Sequence, residues 1–147
     1  MSTLAEVLLA SENRASVIAD CCAVIDQEVS DKKGLTGLAV KGAFKAVKTF
    51  NPTIIESVID VLLDDFVTQL SPTYEGFKSA EETDLKRYCI QNDQEIADAL
   101  LTITDRRADK SKIKVLVKAY RKLRPQGEKH VKEAVPRIAT LLLKHGL

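Results

Sequence analysis

Pro52-Thr-Ile-Ile-Glu-Ser-Val-Ile-Asp-Val-Leu-Leu-Asp-Asp-Phe-Val-Thr-Gln-Leu70 decides the fold class. Its apolar residues return at spacings of three and four, through Ile55, Val58, Ile59, Leu62, Leu63, Phe66 and Leu70. A half-buried strand would alternate with period two, and this stretch does not. Only the strip through Glu56, Ser57, Asp60, Asp64 and Thr68 is polar. A helix apolar over most of its circumference belongs at the centre of a domain. The stretch therefore predicts a central helix near 52–70, with Asn51-Pro52 as N-cap and first helical position and Ser71-Pro72 as the break.

The same periodicity runs outward in both directions. Leu4, Val7 and Leu8 predict a short opening helix. Ser11 offers an N-cap oxygen to a second helix with Ala15, Ile18, Cys22, Ile25 and Val29 along one face. Lys32-Lys33-Gly34 stops it. A third helix over Leu35–Phe50 is rich in small residues, Gly37 and Gly42 among them. A glycine inside a helix costs about 1 kcal/mol relative to alanine, which predicts close approach of another helix and a packed core position. Towards the C-terminus the pattern predicts a short helix around Tyr74–Lys78, a loop at Ala80–Thr83 and a helix near Asp84–Gln91. Asn92 with Glu95 then reads as a capping box. Asp105–Ser111 reads as a turn or a frayed continuation, followed by a helix to about Arg124. Arg124-Pro125-Gln126-Gly127 is the clearest turn. A last helical stretch over Glu128–His145 meets Pro136, which kinks or restarts it. No strand and no long linker interrupts this series. The prediction is one compact all-α domain over residues 1–147, a helical bundle of seven to nine helices. A chain of this length buries roughly 70% of its unfolded surface on folding.

A formal charge of +1 conceals a strong sorting of charge. Residues 1–105 sum to −9 and residues 106–147 to +10. Such asymmetry bears on partners and steering rather than on fold. It implies either a basic surface for an anion or two opposite regions closing on each other. At about 100° per residue, Arg107, Lys110, Lys114, Lys118, Arg121 and Lys122 share one side of a basic amphipathic helix spanning 107–124. Ile113, Leu116, Ala119, Tyr120 and Leu123 lie opposite. Those six cations are the candidate anion- or partner-binding residues. A second basic cluster, Lys32, Lys33, Lys41, Lys45 and Lys48, has no acid within 32–50. With Leu38, Val40, Phe44 and Val47 it permits a membrane-surface helix, although its small residues favour packing.

Motifs for catalysis do not emerge. Gly37-Leu-Ala-Val-Lys-Gly42 has the glycine spacing of a P-loop, but Ala43-Phe44 stand where Lys and Ser/Thr are needed. Glu56, Asp60 and Asp64 form an i, i+4, i+8 row without the Glu-x-x-His partner of a helical metal pair. His130 and His145 read as structural. Cys21, Cys22 and Cys89, odd in number and without a C-x-x-C motif, read as reduced, packed thiols. The expectation is no enzyme, no catalytic residue, no metal and no cofactor. No zinc-finger spacing or exposed aromatic row equips the chain to read bases, so nucleic-acid contact would be to phosphate alone. The N-terminus lacks the basic region of a signal peptide and no stretch reaches a membrane span, which places the chain in the cytoplasm.

Leu4-Ala-Glu-Val-Leu-Leu-Ala10, Ile18-Ala-Asp-Cys21 and Gly34-Leu-Thr-Gly-Leu-Ala-Val-Lys41 resemble a small uncharacterised family of bacterial proteins. The resemblance covers the N-terminal half, implies an all-helical domain and assigns no active residues. The leading expectation is an interaction module that associates with itself or with a protein partner through charge complementarity. The alternatives are non-specific binding of nucleic acid or anionic membrane through 107–124, and a small-ligand or metal site on the acidic strip of helix 52–70.

Overall fold

The computed structural model describes residues 2–147, which form eight α-helices and one 3₁₀ turn and no strand. The helices are α1 (Leu4–Leu8), α2 (Ser11–Asp31), α3 (Gly34–Phe50), α4 (Ile54–Ser79), α5 (Leu85–Gln91), α6 (Asp93–Lys110), α7 (Lys114–Leu123) and α8 (Gly127–Lys144), with the 3₁₀ turn at Arg124–Gln126. The single all-α domain expected from the periodicity is the fold observed. No helix among the described residues is long and apolar enough to cross a membrane.

The central helix is longer than its sequence suggests. Helix α4 continues through Ser71-Pro72 to Ser79 and absorbs the separate helix expected at Tyr74–Lys78. Proline removes one backbone donor, leaving the carbonyl four residues earlier without its helical partner. That carbonyl belongs to Thr68, which is exposed, as is Pro72 itself, so water can satisfy it. Ser71 Oγ donates to the Val67 carbonyl at 2.7 Å and braces the same turn. Pro136 lies inside α8 without ending it. At the other end, α4 starts at Ile54 rather than Pro52, because Asn51 Oδ1 accepts from the Thr53 amide at 3.0 Å and turns the chain first.

Helix caps also depart from expectation. Ser11 is the first residue of α2, and no side chain caps that helix. Its buried residues are Val17 and Ile18, while Ala15 is exposed, so the inner face lies to one side of the predicted one. The capping box sits instead at Thr3 and Glu6, which exchange side-chain and backbone bonds to start α1. The predicted box at Asn92 does not form. Asn92 Nδ2 donates to the Tyr88 carbonyl at 2.8 Å, and Glu95 accepts from Thr73 Oγ1 at 2.7 Å. Helices α5 and α6 run almost end to end, so Asn92 serves the helix behind it.

The main core is built by α1, α2, α4, α5, α6 and α8 around Leu4, Val17, Leu63, Val67, Phe77 and Val135. Fully burying one such side chain stabilises by about 1.5–3 kcal/mol. Charged ties bind α2 to α8 across this core. Asp20 meets Lys144 and His145 at 2.8 Å each, and Arg137 bridges Glu28 and Asp31. Lys32, buried at the end of α2, reaches Glu28 at 3.4 Å and Glu133 at 3.2 Å. Neither α3 nor α7 supplies a residue to the main core. They pack along each other, with α3 also against α2 and α4 and α7 against α6. The molecule is thus a six-helix body carrying a two-helix layer.

Candidate functional site

The six predicted cations fall on two helices rather than one. Arg107 and Lys110 end α6; Lys114, Lys118, Arg121 and Lys122 belong to α7; Ser111–Ile113 separates them. Ser111 is extended (φ −70°, ψ 138°) and its Oγ accepts from the Ile113 amide at 3.2 Å. Serine offers the backbone this local alternative to helix. The break also ends a like-charged row, since lysines four apart destabilise a helix by a few tenths of a kcal/mol per pair.

All six side chains are exposed, but they are not equivalent. Arg107 pairs with Asp65 of α4 at 3.2 Å, and Arg121 with Asp109 of α6 at 3.3 Å. Lys110, Lys114, Lys118 and Lys122 meet no acid among the described residues. The opposing seam of α7 is only half covered: Leu116, Ala119, Tyr120 and Leu123 are intermediate and Ile113 is 39% exposed. Besides its packing on α3, polar ties anchor α7. Arg124 clamps Asp105 with Nε to Oδ1 at 2.8 Å and Nη2 to Oδ2 at 3.1 Å. Tyr120 donates its hydroxyl to the same Asp105 Oδ1 at 2.5 Å and lies 2.7 Å from Thr104 Oγ1. Arg124, and then Tyr120, hold the Asp105 carboxyl below its usual range. Burial, and then Asp105, push the Tyr120 phenol up to about 12. At neutral pH the cluster is one carboxylate gripped by a guanidinium and a phenol.

Helix α3 adjoins α7, and the packing expected of it holds for one side only. Gly37, Val40, Ala43 and Val47 are buried on one side, while Leu35, Leu38, Lys41 and Lys45 stand in solvent. Its glycines admit no neighbouring helix. A Cβ on Gly37 would lie 2.7 Å from the backbone C and O of Lys32, so the close approach is to the preceding turn, and Gly42 faces open space. Neither 32–50 nor 110–127 contains an acid. Lys48 is neutralised by Asp26 at 2.9 Å. Lys33, Lys41 and Lys45 add three exposed, unpaired lysines to the α7 set. Sequence reasoning noted both basic clusters but not that α3 and α7 pack together, which no local signal reports.

The remaining candidates are occupied by structural work. Arg14 of α2 spans the acidic strip, with Nη2 to the Asp60 carbonyl at 2.8 Å, Nε to Asp60 Oδ1 and Nη1 to Asp64 Oδ1 at 3.1 Å each. No three His, Cys, Asp or Glu side chains converge as a metal site among the described residues. All three cysteines are free. Burial raises the Cys21 and Cys89 thiols to about 11 and also raises Cys22, which keeps them protonated and poorly nucleophilic. His130 is held below its ordinary value by burial and then by Lys32, and its Nδ1 has no partner. Two open surface depressions of about 700 and 550 Å³ flank the 3₁₀ turn. Charged side chains line both, Glu128, Lys129 and Glu133 in one and Asp105, Arg121 and Arg124 in the other.

One family model matches residues 4–146, and it describes a family of unknown function, DUF6918. The chain belongs to this family. The match extends well beyond the N-terminal half in which the resemblance lies, so the DUF6918 domain includes α7 and the whole basic face. No curated protein and no solved structure matches the chain.

Proposed function

We propose that this DUF6918 domain is a small cytoplasmic interaction module, not an enzyme, that docks an anionic surface on the outer side of α3 and α7. One observation carries the reading: two adjoining acid-free helices expose Lys33, Lys41, Lys45, Lys114, Lys118 and Lys122 with no acid to pair them. The −9 and +10 parts of the chain do meet inside the molecule, at Arg107–Asp65, Arg137–Asp31 and Lys144–Asp20. Those contacts use arginines and C-terminal cations and leave the lysine face unspent. A field of like charge on one face steers an anionic partner and weakens once separation exceeds the Debye length of about 8–10 Å at physiological salt. Docking of this kind is weak per residue, additive across the face and salt-sensitive.

Chromatography on a sulfonate matrix at pH 7.7 tests it, because there the chain has almost no net charge. Retention is expected, and it reports clustered positive charge rather than net charge. The variant Lys114→Glu, Lys118→Glu, Lys122→Glu should elute without retention. The variant Lys86→Glu, Arg87→Glu, Lys129→Glu has the same net charge, reverses exposed cations elsewhere, and should keep most of the retention. Equal behaviour of the two variants would overturn the proposal.

A further inference from the structure

We infer that the anionic surface is a lipid bilayer: α3 lies on the headgroups of an anionic membrane with Leu35 and Leu38 inserted and the lysines of α3 and α7 against lipid phosphates. The inference rests on the docking reading above and names its partner. Leu35 is 86% exposed and Leu38 70% exposed, the two most exposed large apolar side chains of the described residues. At about 100° per residue, Leu35, Leu38, Lys41 and Lys45 fall within one sector of roughly 120°. Thr49 and Gly42 fill the rest of that sector, and the opposite side carries the buried Val40 and Val47. The outward sector of α3 therefore presents apolar and cationic groups together and no acid.

A single surface has to satisfy both kinds of group. Nucleic-acid phosphates pair lysines but offer two extended leucines nothing, and Phe50 is the one large aromatic exposed among the described residues, too few for a stacking row. An acidic protein pairs the lysines and leaves the leucines wet unless it brings an apolar patch of its own. A lipid interface takes both, since acyl chains bury the leucines while headgroup phosphates meet the ammonium groups. The cation type agrees. The unpaired charges of the face are lysines, whose flexible stems extend their heads to the headgroup level, whereas the arginines Arg121 and Arg124 are turned onto Asp109 and Asp105. Helix α3 also stands outside the main core, so seating it on a membrane disturbs none of that packing.

The chain contains no tryptophan, so Leu38→Trp supplies a unique reporter on the face. With vesicles of phosphatidylcholine mixed with phosphatidylglycerol at low salt, its emission should shift to the blue. It should not shift with phosphatidylcholine alone, and added salt should reverse it. In co-sedimentation with the mixed vesicles, the variant Leu35→Ser, Leu38→Ser should partition about tenfold less than the unmodified chain. The variant Lys114→Glu, Lys118→Glu, Lys122→Glu should not sediment. An unmoved emission with mixed vesicles overturns the lipid assignment, as does serine-variant binding equal to that of the unmodified chain, which would mean adsorption by charge alone. If retention on the sulfonate matrix persists while vesicles fail, the docking module stands and its partner is another polyanion. Displacement from the matrix by duplex DNA or polyglutamate then names which. If retention and vesicle binding both fail, both readings fall.

Discussion

Gly37 and Gly42 stand on the same helix five residues apart and carry opposite physical meanings. A methyl group at Gly37 would press on the Lys32 backbone at 2.7 Å, and Lys32 is pinned by Glu28 and Glu133. Gly37→Ala should destabilise by about 1–3 kcal/mol, since a well-packed neighbour has to shift. A methyl group at Gly42 meets nothing within 4 Å, on an exposed helical position. Gly42→Ala should stabilise by about 0.5–1 kcal/mol through helix propensity. Urea midpoints of the two variants, moving in opposite directions, check both expectations; movement in the same direction contradicts the environments described. Both glycines look alike in the sequence, because a packing reason for glycine lies in what faces it. The free, packed thiols were more legible, since none sits in a spacing that supports ligation or nucleophilic attack.

Element boundaries followed the same division. The stops at Lys32-Lys33-Gly34 and Ala80–Thr83 were readable because they depend on local backbone chemistry, Gly34 adopting a φ of 69°. The break expected at Pro72 was not a break, because an exposed proline on a long, firmly packed helix costs one hydrogen bond and gains none by ending it. The continuous basic helix 107–124 became two because Ser111 Oγ accepts from the Ile113 amide two residues on. Helix α7 is ten residues long, has no fully buried side chain, and depends on the Asp105 cluster and on α3. A helix this short is marginal alone. Its amides should therefore exchange with solvent faster than those of α4 and α8. Tyr120→Phe removes one hydrogen bond to a charged group and should speed α7 exchange by about tenfold or more, leaving α4 unchanged. Hydrogen exchange read by mass spectrometry decides this, and joint protection of α7 and α4 would contradict the layered architecture.

For the molecule as a whole, the acid limb of the stability profile depends on charges that meet across long sequence separations. Lys144 first, and then His145, hold Asp20 below the usual carboxylate range, and Arg137 does the same for Asp31. A depressed folded pKa gives stability that is complete above the unfolded value of about 4 and is lost as pH falls through the folded values. His130, depressed by burial, adds an earlier loss as pH drops below about 6.5, because the unfolded chain takes up its proton first. Cys21, Cys89 and Tyr120 have raised values, so their contribution is full below the unfolded values of about 8.5 and 10 and disappears as pH rises towards 11 and 12. Urea midpoints should be level from about pH 7 to 8.5 and fall on both sides; a midpoint constant from about pH 7 to 5 would remove the His130 contribution from the account, and one constant from about pH 4 to 2 would remove the Asp20 and Asp31 ties. By itself the sequence determined the all-α class, the central helix and the sorting of charge, because hydrophobic period and local charge are properties of neighbours along a chain. Only the tertiary structure decided that α3 turns its leucines outward and lies beside α7, and that Arg14, Arg107 and Arg121 are spent on acids while Lys41, Lys45, Lys114, Lys118 and Lys122 are not. Those outcomes depend on which elements pack together, and side chains far apart in sequence carry no local signature of meeting.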